Sequence, residues 1–206
     1  MLDEDYLVSA SWDGSVYCWD KRSSDCISSI QVEGSRVWGA KLSHNALVVL
    51  TSESKLLSYS LAHLEKGQYM IEEIQHGIQK IVLNMRFDES RKKLAIGSLE
   101  GRCSIRSSSD LGLKFSFKCH RHTEGVVTNA YPINDLCWWP GRNCVATAGG
   151  DGNLYVWDID RRRRMATVEA ATDSPVTAVC FNEEASLMAM SVGYDWHKGV
   201  KGMYNR

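Results

Sequence analysis

The chain of 206 residues has only three prolines, no excess charge of either sign and no long hydrophobic run. Lys and Arg total 24 against 25 Asp and Glu, a net charge of −1, which excludes a global pull toward nucleic acid or anionic membrane. Any electrostatic recognition has to be local. No apolar stretch approaches the ~18 residues that span a bilayer, and the opening MLDEDYLVSAS is acidic where a secretory leader is basic and then apolar. There is no Gly-rich phosphate loop, HExxH motif or nucleophile elbow, so the expected class is non-enzymatic, with no cofactor and no metal. The seven cysteines are odd in number and include no CxxC pair, which favours free thiols in a reducing compartment, cytosol or nucleus.

What is present is a repeat. YLVSASWDGSVYCWDKR (6 to 22) and CVATAGGDGNLYVWDID (144 to 160) share an apolar and small-residue run, a DG turn, and an alternating run ending in Trp-Asp. Weaker copies, LVVLTSESKLLSYSL (47 to 61) and KLAIGSLEGRCSIRS (93 to 107), lie between them, and LMAMSVGYDW (187 to 196) starts a fifth. Taking Leu7, Leu47, Leu94, Val145 and Leu187 as equivalent gives steps of 40, 47, 51 and 42 residues, the spacing of four-stranded propeller blades. Before each later copy stands a short apolar run, RVWGAKLS, KIVLNMRF, INDLCWWP and PVTAVCFN, that supplies an innermost strand. The expectation is an all-β chain with units at about 1–35 (partial), 36–79, 80–132, 133–174 and 175–206 (partial). The Gly of each DG or EG pair sits where a hairpin needs positive φ, and the acid beside it bonds its own backbone. The Asp of the Trp-Asp pair, with Trp19 and Trp157 packing between blades, is structural in this reading.

On these residues the chain resembles the WD40 family, and the resemblance implies a β-propeller. Members close with about seven blades. The sequence supplies about four, open at both ends, so a fragment or truncated gene model missing upstream blades and the closing strand is expected. GSLEGRCSI (97 to 105), then FKCHR (117 to 121) with YPIND (131 to 135), followed by a GG-DG-WD blade, resemble the joint group of Rae/Gle-type mRNA export factors and Bub-type mitotic checkpoint propellers. GYDWHKG (193 to 199) is more similar to the export branch, whereas the GGDG turn at 149 to 152 leans to the checkpoint branch.

The resemblance implies a non-catalytic adaptor that binds a short glutamate-containing peptide of a partner. That partner is a nucleoporin in mRNA export, with localisation at the nucleus, nuclear pore and cytoplasm, or, alternatively, a checkpoint kinase at kinetochores. A more distant alternative is a scaffold subunit of a ubiquitin ligase or RNA-processing complex. Arg102 of LEGR and Arg121 of KCHR match the family's basic residues, Lys118 belongs to the same motif, and Trp12 of SWDG matches an aromatic contact. Independently of the family, Arg offers a planar fork of donors that grips a carboxylate bidentately, and a position just after a turn Gly or at a strand end is where a propeller exposes binding residues.

Cys119, His120 and His122 invite a metal reading. Consecutive residues on a strand face opposite ways and no second ligand pair has zinc-like spacing, so Cys119 is expected to be a buried apolar group and His120 a hydrogen-bonding one. The run Arg161, Arg162, Arg163, Arg164 is an RNA-contacting candidate, set against a solvated hairpin between the last two strands of a blade. Of the adjacent Trp138 and Trp139, one is expected in the core and the other between blades or at the surface.

Overall fold

In a computed structural model the described residues are 6–22, 25–42, 46–60, 71–74, 82–88, 90, 92–107, 112–172, 174–196 and 198–200. The first residues of the first unit and the last six of the final one therefore lie outside the described residues. Every regular element among those described is a β-strand. β1 (Tyr6–Ala10), β2 (Ser15–Asp20) and β3 (Cys26–Gln31) form a three-stranded antiparallel sheet. β4 (Val37–Leu42), β5 (Ala46–Thr51), β6 (Leu56–Ser60) and β7 (Ile71–Ile74) form a four-stranded one. β8 (Val82–Asp88), β9 (Lys93–Ser98), β10 (Arg102–Ser107) and β11 (Leu113–Lys118) form the third sheet. A separate hairpin, β12 (Arg121–Glu124) and β13 (Val127–Ala130), leads into a fourth sheet. That sheet is β14 (Ile133–Trp138), β15 (Cys144–Gly149), β16 (Asn153–Asp158) and β17 (Arg163–Glu169), and β18 (Val176–Phe181) with β19 (Met188–Val192) ends the series.

The apolar cores lie between successive sheets, not within one. Val16, Ile30 and Val32 of the first sheet meet Val37, Leu47, Val49 and Tyr59 of the second. Val48, Leu50 and Leu56 meet Met85, Leu94 and Ile96, and Cys103, Ile105 and Ala95 meet Ile133, Leu136, Trp138 and Val145. Ala146, Ala148 and Val156 meet Val176 and Val179. This is propeller packing, and it explains why the second strand of each blade reads as an unbroken apolar or small-residue run: both of its faces are covered. The blades do not close into a ring among the described residues.

The innermost strands β4, β8, β14 and β18 lie side by side, with β14 against both β8 and β18. Each carries a register shift at its second position, at Val37/Gly39, Val82/Asn84, Ile133/Asp135 and Val176/Ala178. A bulge repeated at one place adds twist and re-aims one side chain per blade. From this row Asp135 reaches both ways. Its carboxylate accepts from Asn84 Nδ2 and Arg86 Nη2 on β8, each at 2.8 Å, and from the backbone N–H of Val179 on β18 at 3.0 Å.

The turn glycines 14, 101 and 152 have φ of 88°, 62° and 75°, in the left-handed region where a Cβ is unfavourable. Trp157 packs between blades, its ring 4.8 Å from that of Phe117. Trp19 differs, because no preceding sheet stands beside it among the described residues. It lies 5.6 Å from Tyr17 and donates to Ser9 Oγ within its own sheet. Trp138 is buried and donates to the Arg86 carbonyl, while Trp139 is half-buried, stacked on Phe181 at 5.1 Å.

Candidate functional site

The site is built around the turn that joins β9 to β10. Gly101 closes this turn, its carbonyl accepting from Cys119 N at 2.9 Å, so the ends of β10 and β11 are drawn together. Arg102 and Lys118 are then direct cross-strand partners. Residues opposed in this way share a face with Cβ atoms about 5 Å apart, and like charges so placed repel. Arg121, three residues on, donates from Nη2 to the Glu100 carbonyl at 2.9 Å, while its buried Nε has no acceptor among the described residues. Three cations thus gather at one turn, beside Glu100.

His120 sets Arg121 in place. Its φ of 47° is unusual for a residue with a Cβ, and it reverses the chain between β11 and β12. A closed hydrogen-bond chain holds it there. Nδ1 lies 2.8 Å from Asp151 Oδ1, and Nε2 lies 2.8 Å from Thr147 Oγ1, which also receives Trp157 Nε1–H at 3.0 Å. In the neutral imidazole with its proton on Nδ1, the carboxylate accepts from Nδ1–H and Nε2 accepts from the Thr147 hydroxyl. Burial alone raises the Asp151 carboxyl, but the hydrogen bond and charge interaction with His120, with hydrogen bonds from Asn153 and Tyr155, outweigh it and hold the group below the ordinary carboxylate value. The Tyr155 hydroxyl is pushed up to about 12 by burial and by the Asp151 charge. Cys119, buried beside this chain, has its thiol pushed well above the ordinary value, first by burial and then by Cys103 and Asp151, so it is a poor thiolate. Cys119 and His120 serve packing and hydrogen bonding, while His122 is exposed on β12 with Nε2 3.4 Å from Glu124 Oε1.

Two consequences are measurable. A Cβ on Gly149 would collide with His120 Nδ1 and the Asp151 carboxylate, whereas one on Gly193 meets open space. Gly149→Ala is expected to lower stability by about 2 kcal/mol and Gly193→Ala by under about 0.5 kcal/mol, read from urea midpoints. Because Asp151 titrates lower folded than unfolded, its contribution is present above about pH 4 and is lost as pH falls through the folded value. Asp151→Asn should therefore flatten the fall of stability with pH on the acid side, measured by unfolding between about pH 5 and 2.

Trp12 occupies the equivalent turn of the first sheet, where the Gly14 carbonyl accepts from Val32 N as that of Gly101 does from Cys119 N. The two turns therefore lie on the same face of the propeller. Trp12 is 65% exposed; its ring is 6.1 Å from that of Trp38, with the Arg36 guanidinium 5.9 Å above it. Its recorded contacts are with this group, two blades from Arg102 and Arg121, so only an extended ligand would touch both. Arg36 and Trp38 escape sequence reasoning because RVWGAKLS reads as an inner strand. Trp38 is the second residue of that strand, but it is the bulged one, and its ring is left half-exposed. The turn after β19 supplies another exposed ring on this face, Trp196, 5.8 Å from Tyr194.

The arginine run joins β16 to β17 at the opposite end of its blade and is partly tied down. Arg161 pairs with Asp158 at 3.0 Å, Arg162 lies 4.6 Å over Phe115 and Arg164 lies 4.8 Å over Tyr155. Only Arg163, opposite Asp158 in register, has no recorded side-chain partner among the described residues.

A profile described as WD domain, G-beta repeat matches residues 2–20 and 113–158. The chain is 31% identical over 198 residues to mRNA export factor GLE2 of Chaetomium thermophilum, covering 95% of this chain and 54% of that protein. It is 31% identical to Protein Rae1 of Drosophila melanogaster, covering 94% and 56%. It is 28% identical to Spindle assembly checkpoint protein bub3 of Schizosaccharomyces pombe, covering 91% and 58%. A solved Mitotic Checkpoint Complex contains a chain that matches with a TM-score of 0.78 at 20% identity, covering 94% of this chain and 56% of that one, a likeness of fold. The chain thus spans a little over half the length of the curated relatives it matches.

Proposed function

We propose, for a chain that belongs to the WD40-repeat family and is related to Rae/Gle-type export factors and Bub-type checkpoint propellers, a non-catalytic adaptor that captures a glutamate-containing peptide. The blade units are those read from the sequence, 1–35, 36–79, 80–132, 133–174 and 175–206. The observation that carries the proposal is the opposition of Arg102 and Lys118 in register, with Arg121 anchored on the carbonyl of the same turn. Such an arrangement repels itself when empty and is relieved by a carboxylate. Trp12, with Trp38 and Arg36, offers the apolar surface over which the rest of an extended peptide lies.

The process in this reading is mRNA export, which the name of the Chaetomium thermophilum relative carries, and the partner is a nucleoporin at the nuclear pore, as the resemblance of the sequence motifs implies. The checkpoint relative supports a second reading, in which a checkpoint kinase presents the same kind of peptide at kinetochores. A tagged chain at the nuclear rim through interphase favours the first, and mitotic foci favour the second. The capture step is tested by fluorescence anisotropy with a labelled peptide containing Glu-Glu and its Gln-Gln counterpart. The acidic peptide should bind at least about tenfold tighter and lose affinity with salt. Equal binding of the two would remove the proposal and favour a generic scaffold.

A further inference from the structure

The arginine run that leads into β17 takes no part in the carboxylate clamp. Arg162, Arg163 and Arg164 stand five, four and three residues before Thr167, and Thr167 is the one Ser or Thr of the chain with arginine at both −5 and −3. β17 is the outermost strand of its sheet, so one edge of its backbone is unpaired among the described residues. All of its residues are exposed except Val168, which is half-buried. The Thr167 hydroxyl has no recorded partner among the described residues. Register puts the acceptor and one arginine on one face. Thr167 lies opposite Tyr155 and Arg164 opposite Trp157, because Met165 is bulged out of the pairing. On a regular strand, residues three apart face opposite ways, and the bulge removes that separation. Arg164 and Thr167 therefore share the face of the Tyr155 ring, over which the Arg164 guanidinium lies at 4.8 Å. The acids near this face are Glu169, two residues past Thr167, and Asp151, which accepts from the Tyr155 hydroxyl.

We propose that Thr167 is a phosphorylation site for an arginine-directed serine/threonine protein kinase. Such a kinase holds its substrate extended and selects upstream arginines with carboxylates that match the guanidinium fork. An edge strand is already extended, and lifting β17 uncovers little apolar surface because Val168 alone is half-buried. Arg162 over Phe115 and Arg164 over Tyr155 are held by surface ring contacts, which bidentate carboxylate pairs outcompete. In the transfer, Thr167 Oγ1 bonds to the γ-phosphorus of ATP and the bond from that phosphorus to the β–γ bridging oxygen breaks. ADP leaves, and the hydroxyl proton passes to the catalytic aspartate of the kinase. The phosphothreonine carries about −1.5 to −2 charges at neutral pH, and Arg164 on the same face pairs with it once the strand returns to the sheet. The inference uses none of the clamp residues and does not rest on the glutamate-peptide reading.

The test incubates the full, folded chain with MgATP and a kinase that requires arginine at −5 and −3, beside an acid-directed kinase as control, and maps phosphate by tandem mass spectrometry. Phosphate should appear at Thr167 with the first kinase and not with the second, and Thr167→Val should abolish it. Arg164→Gln and Arg162→Asn, the latter chosen because Arg162 has a φ of 51°, should each lower kcat/KM for the transfer about tenfold, whereas Arg102→Gln should leave it unchanged. The phosphorylated chain should melt within about 3 °C of the unmodified one, because Arg164 meets the new charge. Absence of phosphate from Thr167 in the folded chain would overturn the proposal, as would incorporation there only after heating through the melt. So would equal labelling of Thr167 by the acid-directed kinase, or indifference to both arginine variants. A larger fall in melting temperature would overturn the pairing with Arg164.

Discussion

Arg121→Glu is expected to weaken binding of the glutamate-pair peptide by about 3 kcal/mol, on the order of a hundredfold, with little change in thermal stability. The asymmetry follows from how Arg121 is held. Nη2 is fixed on the Glu100 carbonyl and Nε is buried without an acceptor among the described residues, so the guanidinium is already ordered and partly desolvated before any ligand arrives. A carboxylate at this position would face the same carbonyl oxygen and would compete with the peptide for Arg102 and Lys118. Arg121→Lys separates charge from geometry. It keeps the positive charge but loses the fork, and an intermediate loss of about 1 kcal/mol is expected. Anisotropy titrations of both variants, with circular-dichroism melts as a check on folding, distinguish these outcomes.

Asp135→Ala is expected to lower stability by about 3 to 5 kcal/mol, measured from urea unfolding curves. Every group around this carboxylate is a donor: Asn84 Nδ2, Arg86 Nη2, and the backbone N–H groups of Leu136 and Val179. Removing it leaves the Val179 and Leu136 donors buried and the Arg86 charge, 35% exposed, without its counter-ion. Because those donors belong to three successive inner strands, the loss should also broaden the transition, as adjacent blades uncouple. Asp135→Asn should fall between, since its amide end presents a donor to other donors. Adding Arg86→Met to Asp135→Ala should recover part of the loss by removing the stranded charge. A change under about 1 kcal/mol for Asp135→Ala would mean that the blades are held by apolar packing alone.

Much of this architecture is visible in the residues themselves. The DG and EG turns, the unbroken second strands and the Trp157–Asp158 ending are local features with local causes, and each falls where its turn or packing demand places it. KCHR is legible only in part: Cys119 and His120 stand in the reversal between β11 and β12 and not on a strand, and each has its own partners, Cys119 in the apolar cluster and His120 on Asp151 and Thr147. What the sequence hides is relational. Asp135 sits in YPIND, which marks a family but says nothing of donors some fifty residues upstream and forty-four downstream. The bulge that turns Trp38 outward depends on pairing with β5, and the arginine run reads as an open patch until Phe115, Tyr155 and Asp158 are seen beneath it. Opposition of Arg102 and Lys118 is likewise a matter of register, fixed by Gly101 and unreadable from spacing alone.

The central claim is that Arg102 and Arg121 act together on glutamates of a bound peptide. A double-mutant cycle across the interface tests it most directly: Arg121→Gln in the protein against Glu→Gln at each of the paired positions in the peptide, repeated with Arg102→Gln. The account expects a coupling energy of at least about 1.5 kcal/mol between each arginine and one of the two glutamates. Strictly additive losses, with coupling within about 0.3 kcal/mol for every pair, would contradict it and leave the cations at this turn as surface charge.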